Sequence, residues 1–115
     1  MEIVINRNYG GFGLSYEAVR LYAELKGVSL IVKQTEYGTE AYYFDRVSEE
    51  TRFYDFDIDR TDPILVQVVK QLGEQAGESH FGSDLKVVTI PDDVEWTIEE
   101  YDGVEWIAEK HRTWG

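Results

Sequence analysis

The stretch Ile3-Val-Ile-Asn-Arg-Asn-Tyr-Gly-Gly-Phe-Gly-Leu-Ser15 runs from an apolar strand through three glycines to a serine suited to capping a helix. It reads as a strand, a tight turn and a helix start. Glycines tolerate positive φ and let other groups approach the backbone, while the first N–H groups of a helix carry partial positive charge. Such a junction attracts anions. Beyond Ser15, the residues Ala18, Leu21, Tyr22 and Leu25 recur at the spacing of one helix face, and Gly27 is placed to end that helix.

Working outward, Val28 to Gln34 and Glu40 to Val47 are rich in β-branched and aromatic residues and flank Tyr37-Gly38, which predicts a hairpin. Arg52 to Asp59 alternates strictly, placing Phe53, Asp55, Asp57 and Asp59 on one face and Tyr54, Phe56 and Ile58 on the other, the pattern of a half-exposed strand. Asp62-Pro63 supplies an N-cap followed by proline in the first helical position. Leu65, Val68, Val69 and Leu72 continue that helix, to about Ala76. Gly77 to Ser83 is a polar loop. Leu85 to Ile90 is a short strand that Pro91 terminates. Asp102-Gly103 joins Glu95 to Tyr101 with Val104 to Arg112 as a hairpin, which sets Ile98 opposite Ile107 and Glu100 opposite Glu105. That second pairing is repulsive, so the tip is expected to be solvated or to await a cation. Two helices among strands joined mostly as hairpins give an α+β fold, a largely antiparallel sheet with two helices packed on one face. Residues 1–115 are read as a single domain.

A hydrophobic share of 43% and an aromatic share of 14% exclude a disordered chain, because that much apolar surface offsets the entropy of ordering. The absence of cysteine removes disulfides, thiolate metal sites and a cysteine nucleophile, and suits a reducing cytosol. No basic segment leads into an apolar run of signal-peptide length, and the apolar runs are too short to span a bilayer. No membrane partner is expected. Eleven basic residues against 23 acidic ones give a net charge of −12, which repels phosphate backbones and argues against binding a nucleic acid duplex. Solubility accounts for such a charge; docking on a basic protein partner is the alternative.

The turn Gly10-Gly11-Phe12-Gly13 has neither the glycine spacing of the dinucleotide fingerprint nor the lysine of a P-loop. It still offers amides to an anion, with Asn6 and Arg7 just before it, Tyr9 and Phe12 for stacking, and Ser15 at the helix start. The competing reading makes the glycines a mere tight bend and Phe12 a core plug. Asp55, Asp57 and Asp59 begin like a calcium loop, but Arg60 stands in the glycine slot and Val66 in the twelfth position, so no EF-hand and no metal site are expected. Arg60 is the natural ion-pair partner for these acids. His111, Arg112 and Trp114 could recognise an aromatic, charged ligand or simply finish an edge strand. No serine lies in a nucleophile elbow, and Glu99 and Glu100 fall on opposite strand faces. No catalytic residues and no cofactor are assigned.

The opening Ile5-Asn6-Arg7-x-Tyr9-Gly-Gly-Phe-Gly-Leu-Ser15 resembles that of a widespread group of small bacteriophage and prophage proteins. Asp55-Phe-Asp-Ile-Asp-Arg60 with Asp62-Pro63, Ile90-Pro-Asp-Asp-Val-Glu-Trp96, Ile98-Glu-Glu-Tyr-Asp-Gly103 and His111-Arg-Thr-Trp114 extend the resemblance over nearly the whole chain. Asn8 stands where a cysteine is expected, so no thiol role carries over. The resemblance implies a setting, the cytoplasm of an infected host, where small phage proteins without enzymatic motifs are often counter-defence factors, one class of which resembles sponges for nucleotide-derived signals. The resulting expectation is a non-enzymatic, homo-oligomeric binding protein for a small anionic, nucleotide-like ligand. The ligand would be held by Asn6, Arg7, Tyr9, Gly10, Gly11, Phe12, Gly13, Ser15, Arg60, His111, Arg112 and Trp114. The alternative expectation is an acidic inhibitor of a basic host protein, presenting Asp55 to Asp59 and Glu95 to Glu109.

Overall fold

A computed structural model describes residues 1–79 and 82–109. After strand β1 (Glu2–Asn6), helix α1 (Tyr16–Lys26) begins where the Ser15 Oγ accepts the Ala18 N–H at 3.0 Å. It ends at Gly27, whose φ of +80° lets its N–H turn back to the Glu24 carbonyl. Helix α2 (Pro63–Leu72) starts on Asp62, whose carboxylate accepts the Ile64 N–H at 2.8 Å. The expected continuation to Ala76 tightens into a 3-10 turn, Gly73–Ala76, because Gly73 takes a φ of +57°. The helices bury Ala18, Val19, Tyr22 and Ala23 from α1 and Leu65, Val66, Val68 and Val69 from α2. Leu25, expected on the buried face, is exposed.

The remaining strands are β2 (Leu30–Gln34), β3 (Glu40–Phe44), β4 (Arg52–Phe53), β5 (Leu85–Thr89), β6 (Trp96–Tyr101) and β7 (Val104–Glu109). Among the described residues all pairings are antiparallel, and the fold is α+β. The strands form three ladders, β1–β5, β2–β3–β4 and β6–β7, where one sheet was expected. The reason lies at the edge of β1 that faces away from β5. There the Val4 N–H donates to the Arg60 carbonyl at 2.9 Å, the Arg60 guanidinium donates to the Val4 carbonyl, and the Asn6 N–H donates to the Glu105 carboxylate at 2.7 Å. Side chains and a loop thus satisfy the edge that another strand would have paired. Val4, Leu85 and Val87 pack with the helices, and Leu30, Phe44 and Phe53 from the β2–β4 ladder join the same core.

Two expectations change at this level. The strand foreseen over Arg52 to Asp59 stops after Phe53, and Asp55–Asp57 forms a 3-10 turn. The Asp55 carboxylate accepts the Leu14 N–H at 3.0 Å, which draws the chain out of the ladder and leaves Phe56 69% exposed. The β6–β7 hairpin has the expected register, Ile98 opposite Ile107 and Glu100 opposite Glu105, around Asp102 and Gly103 at φ +52° and +93°. Its glutamates do not simply repel. Glu105 is buried and forms a two-pronged ion pair with Arg60 at 2.7 and 2.9 Å, while Glu100 accepts the Gly103 N–H. Glu105→Gln keeps an acceptor for Asn6 but leaves the guanidinium unpaired, so it is expected to lower the unfolding free energy by about 3 kcal/mol in urea denaturation.

Candidate functional site

The glycine junction is built into the fold by its own hydrogen bonds. The Gly10 N–H points to the Asp102 carbonyl at 3.3 Å, Leu14 N–H to the Asp55 carboxylate, and Ser15 N–H to the Ala76 carbonyl at 2.9 Å. The Gly13 carbonyl accepts the Glu78 N–H, and the Gly11 carbonyl accepts the Ser83 hydroxyl at 2.8 Å. Gly103 lies so close that a Cβ there would stand 2.3 Å from the Gly11 nitrogen. A carboxylate of the chain itself, Asp55, therefore sits where an anion would be drawn to this turn.

The sequence-derived ligand set is divided by the structure. Asn6 is fully buried and makes four hydrogen bonds through its side chain: the amide nitrogen donates to the Asn8 and Gly103 carbonyls, and the amide oxygen accepts the Asp84 and Asn8 N–H groups. Arg60 lies 3.6 Å over the centre of the Phe12 ring and is held by Glu105, a stacked and paired guanidinium. Ser15 caps α1 and donates to the Gln75 carbonyl at 2.6 Å. Tyr9 is 61% exposed. Arg7 does not join the glycine turn and instead lines a groove elsewhere. His111, Arg112 and Trp114, with the last part of the strand expected to reach Arg112, lie outside the described residues.

That groove has a volume of about 420 Å³ and runs between the β1–β5 ladder and the β6–β7 hairpin. Ile5, Val88, Val94 and Ile107 form apolar walls. Trp96, Trp106, Arg7 and Glu109 complete the lining, Trp96 from the same hairpin face as Ile107 and Glu109 and Trp106 from the opposite one. Alternation along β1 produces the arrangement: Val4 enters the helical core, and Ile5 and Arg7 fall on the opposite side. Among the described residues, Arg7 is exposed and no carboxylate forms an ion pair with it. Sequence reasoning singled out Arg7 and missed the tryptophans. Trp96 and Trp106 looked like ordinary hairpin residues, and only the packing of that hairpin beside β1 brings them to the arginine.

Among the described residues, no group of three or more histidine, aspartate or glutamate side chains could hold a metal ion. Nor is any helix among the described residues long and apolar enough to cross a membrane. No protein-family model, no curated protein and no solved structure matches this chain.

Gly103→Ala tests the packing of the hairpin tip on the junction. It meets both an unfavourable φ of +93° and the Gly11 backbone, and is expected to cost more than about 2 kcal/mol in denaturant unfolding. Gly38→Ala, at φ +78° with open space around it, should cost only about 1 kcal/mol. Two phenols supply a pH test. Burial, reinforced by a 2.5 Å hydrogen bond to Asp62, raises the Tyr22 pKa far above the usual range, and burial with a bond to Glu40 pushes Tyr42 up to about 12. Their folded-state pKa values lie above the unfolded value, so their stabilisation is complete below about pH 10 and is lost as pH rises through the folded values. Absorbance titration of the eight tyrosines is expected to leave these two protonated after the exposed ones ionise, with stability falling above about pH 10.

Proposed function

We propose that this chain is a non-enzymatic binding protein that captures a small, anionic, nucleotide-like ligand, and that the tryptophan groove is where it does so. The observation that carries this reading is that Arg7, which has no ion pair among the described residues, lines one groove with Trp96, Trp106 and apolar walls. Its volume of about 420 Å³ falls in the range of small-molecule sites. A planar base stacked on an indole gains about 1 to 3 kcal/mol, and Arg7 offers a phosphate or carboxylate a forked, permanently charged contact. Glu109 complements the amino edge of a base or a sugar hydroxyl and discriminates against ligands that carry only negative charge. In a phage setting, such a protein would serve as a counter-defence sponge in the host cytoplasm, holding a nucleotide-derived signal within a homo-oligomer.

Isothermal calorimetry and tryptophan fluorescence with ADP-ribose derivatives and cyclic oligonucleotides provide the test. Binding with indole quenching is expected. Arg7→Ala should weaken it by about tenfold or more, a loss of about 1.4 kcal/mol, and Trp96→Ala should weaken it comparably. No heat from any of these ligands, or wild-type affinity in Arg7→Ala, would end this reading.

A further inference from the structure

A second concavity lies between α1 and the β3–β4 edge, well away from Arg7, with a volume of about 470 Å³. Its floor is aromatic. Tyr22, Phe44 and Phe53 pack with ring centres 5.2 to 6.1 Å apart, and Tyr54 adds a fourth ring. Two of these rings already face cations of this chain: the Lys26 ammonium lies 5.6 Å from the Tyr22 centre and the Arg52 guanidinium 4.7 Å from that of Tyr54. The pocket's surfaces are thus suited to positive charge.

The rim carries more negative charge than those two cations neutralise. Asp45, Glu50, Asp57, Asp59 and Asp62 line the pocket, so five carboxylates against Lys26, Arg52 and the Arg46 that pairs with Glu50 leave two negative charges. Glu50 is paired with Arg46 at 2.9 Å, whereas the hydrogen bonds of Asp45, Asp59 and Asp62 come from uncharged donors and leave their charge in place. Asp57 is exposed and forms no ion pair among the described residues. Phe56, between the pocket residues Tyr54 and Asp57, is 69% exposed with its ring 5.2 Å from that of Tyr54. A bare amine filling the pocket would leave that ring in water.

We infer that this surface docks a basic protein: a lysine or arginine side chain enters the aromatic pocket, and an apolar neighbour of that side chain covers Phe56. The charge complementarity selects the sign of the partner, and the exposed phenylalanine beside the pocket selects a protein over a small amine. The site is separate from the tryptophan groove and does not depend on it.

The test is NMR titration of the intact chain with three probes: a capped peptide alternating leucine with lysine and arginine, the same peptide with acetylated lysines and citrullines, and spermidine. The charged peptide is expected to shift the ring signals of Tyr22, Tyr54 and Phe56, with affinity falling about tenfold between about 50 and about 500 mM salt. Asp57→Asn and Phe56→Ala alter exposed side chains, and each should weaken binding about fivefold or more without changing the melting temperature. Arg7→Ala should bind the peptide as wild type does, which separates this surface from the groove. The inference is overturned by silent rings, by equal binding of the uncharged peptide, or by spermidine binding as tightly as the peptide with Phe56→Ala without effect.

Discussion

The ion pair between Arg60 and Glu105 is the contact on which the arrangement of this molecule depends. It joins the segment before α2 to the β6–β7 hairpin, and both partners also hold β1, Arg60 at the Val4 carbonyl and Glu105 at the Asn6 N–H. Phe12 lies against the guanidinium, so the glycine turn is tied into the same cluster. A buried pair of this kind contributes modestly in net terms, because desolvating two charges offsets much of their attraction. Its importance is geometric. The fork of the guanidinium accepts one orientation of the carboxylate, and that orientation sets where the hairpin lies along β1.

Placing the hairpin there has two opposite effects on binding chemistry. At the glycine turn it brings Gly103 onto Gly10 and Gly11 and directs the Asp102 carbonyl to an amide that a ligand would need. Asp55 takes a further amide, so the chain's own acceptors occupy much of the junction. On the other side of β1, the same hairpin leaves a groove whose lining includes Arg7, Trp96 and Trp106. Binding capacity is thus removed from the strand–helix junction and created one strand face away.

Local sequence patterns were informative wherever the deciding physics acts within a few residues. Ser15, Gly27, Asp62 and Pro63 act on their own helix ends, and Asp102-Gly103 fixes its own two-residue turn and with it the register of twelve flanking positions. The alternation over Arg52 to Asp59 misled because one of the aspartates that mark a solvated strand face, Asp55, also accepts a distant amide. One such bond, from Leu14 across 41 residues of chain, was enough to convert the strand into a turn. The role of Arg60 was half visible: an ion pair was expected, but with neighbouring aspartates instead of a glutamate 45 positions away.

The sequence by itself determined both helices with their N-caps, the end of α1 at Gly27, the register of the Asp102-Gly103 hairpin and the α+β class, because capping, turn geometry and side-chain periodicity are short-range effects. Tertiary structure alone decided that the described strands form three ladders, that Asn6 and Arg60 are consumed internally, and that Arg7 lines one groove with two tryptophans. Those outcomes follow from which buried donors and acceptors find partners across long stretches of chain, and local patterning carries no record of that choice.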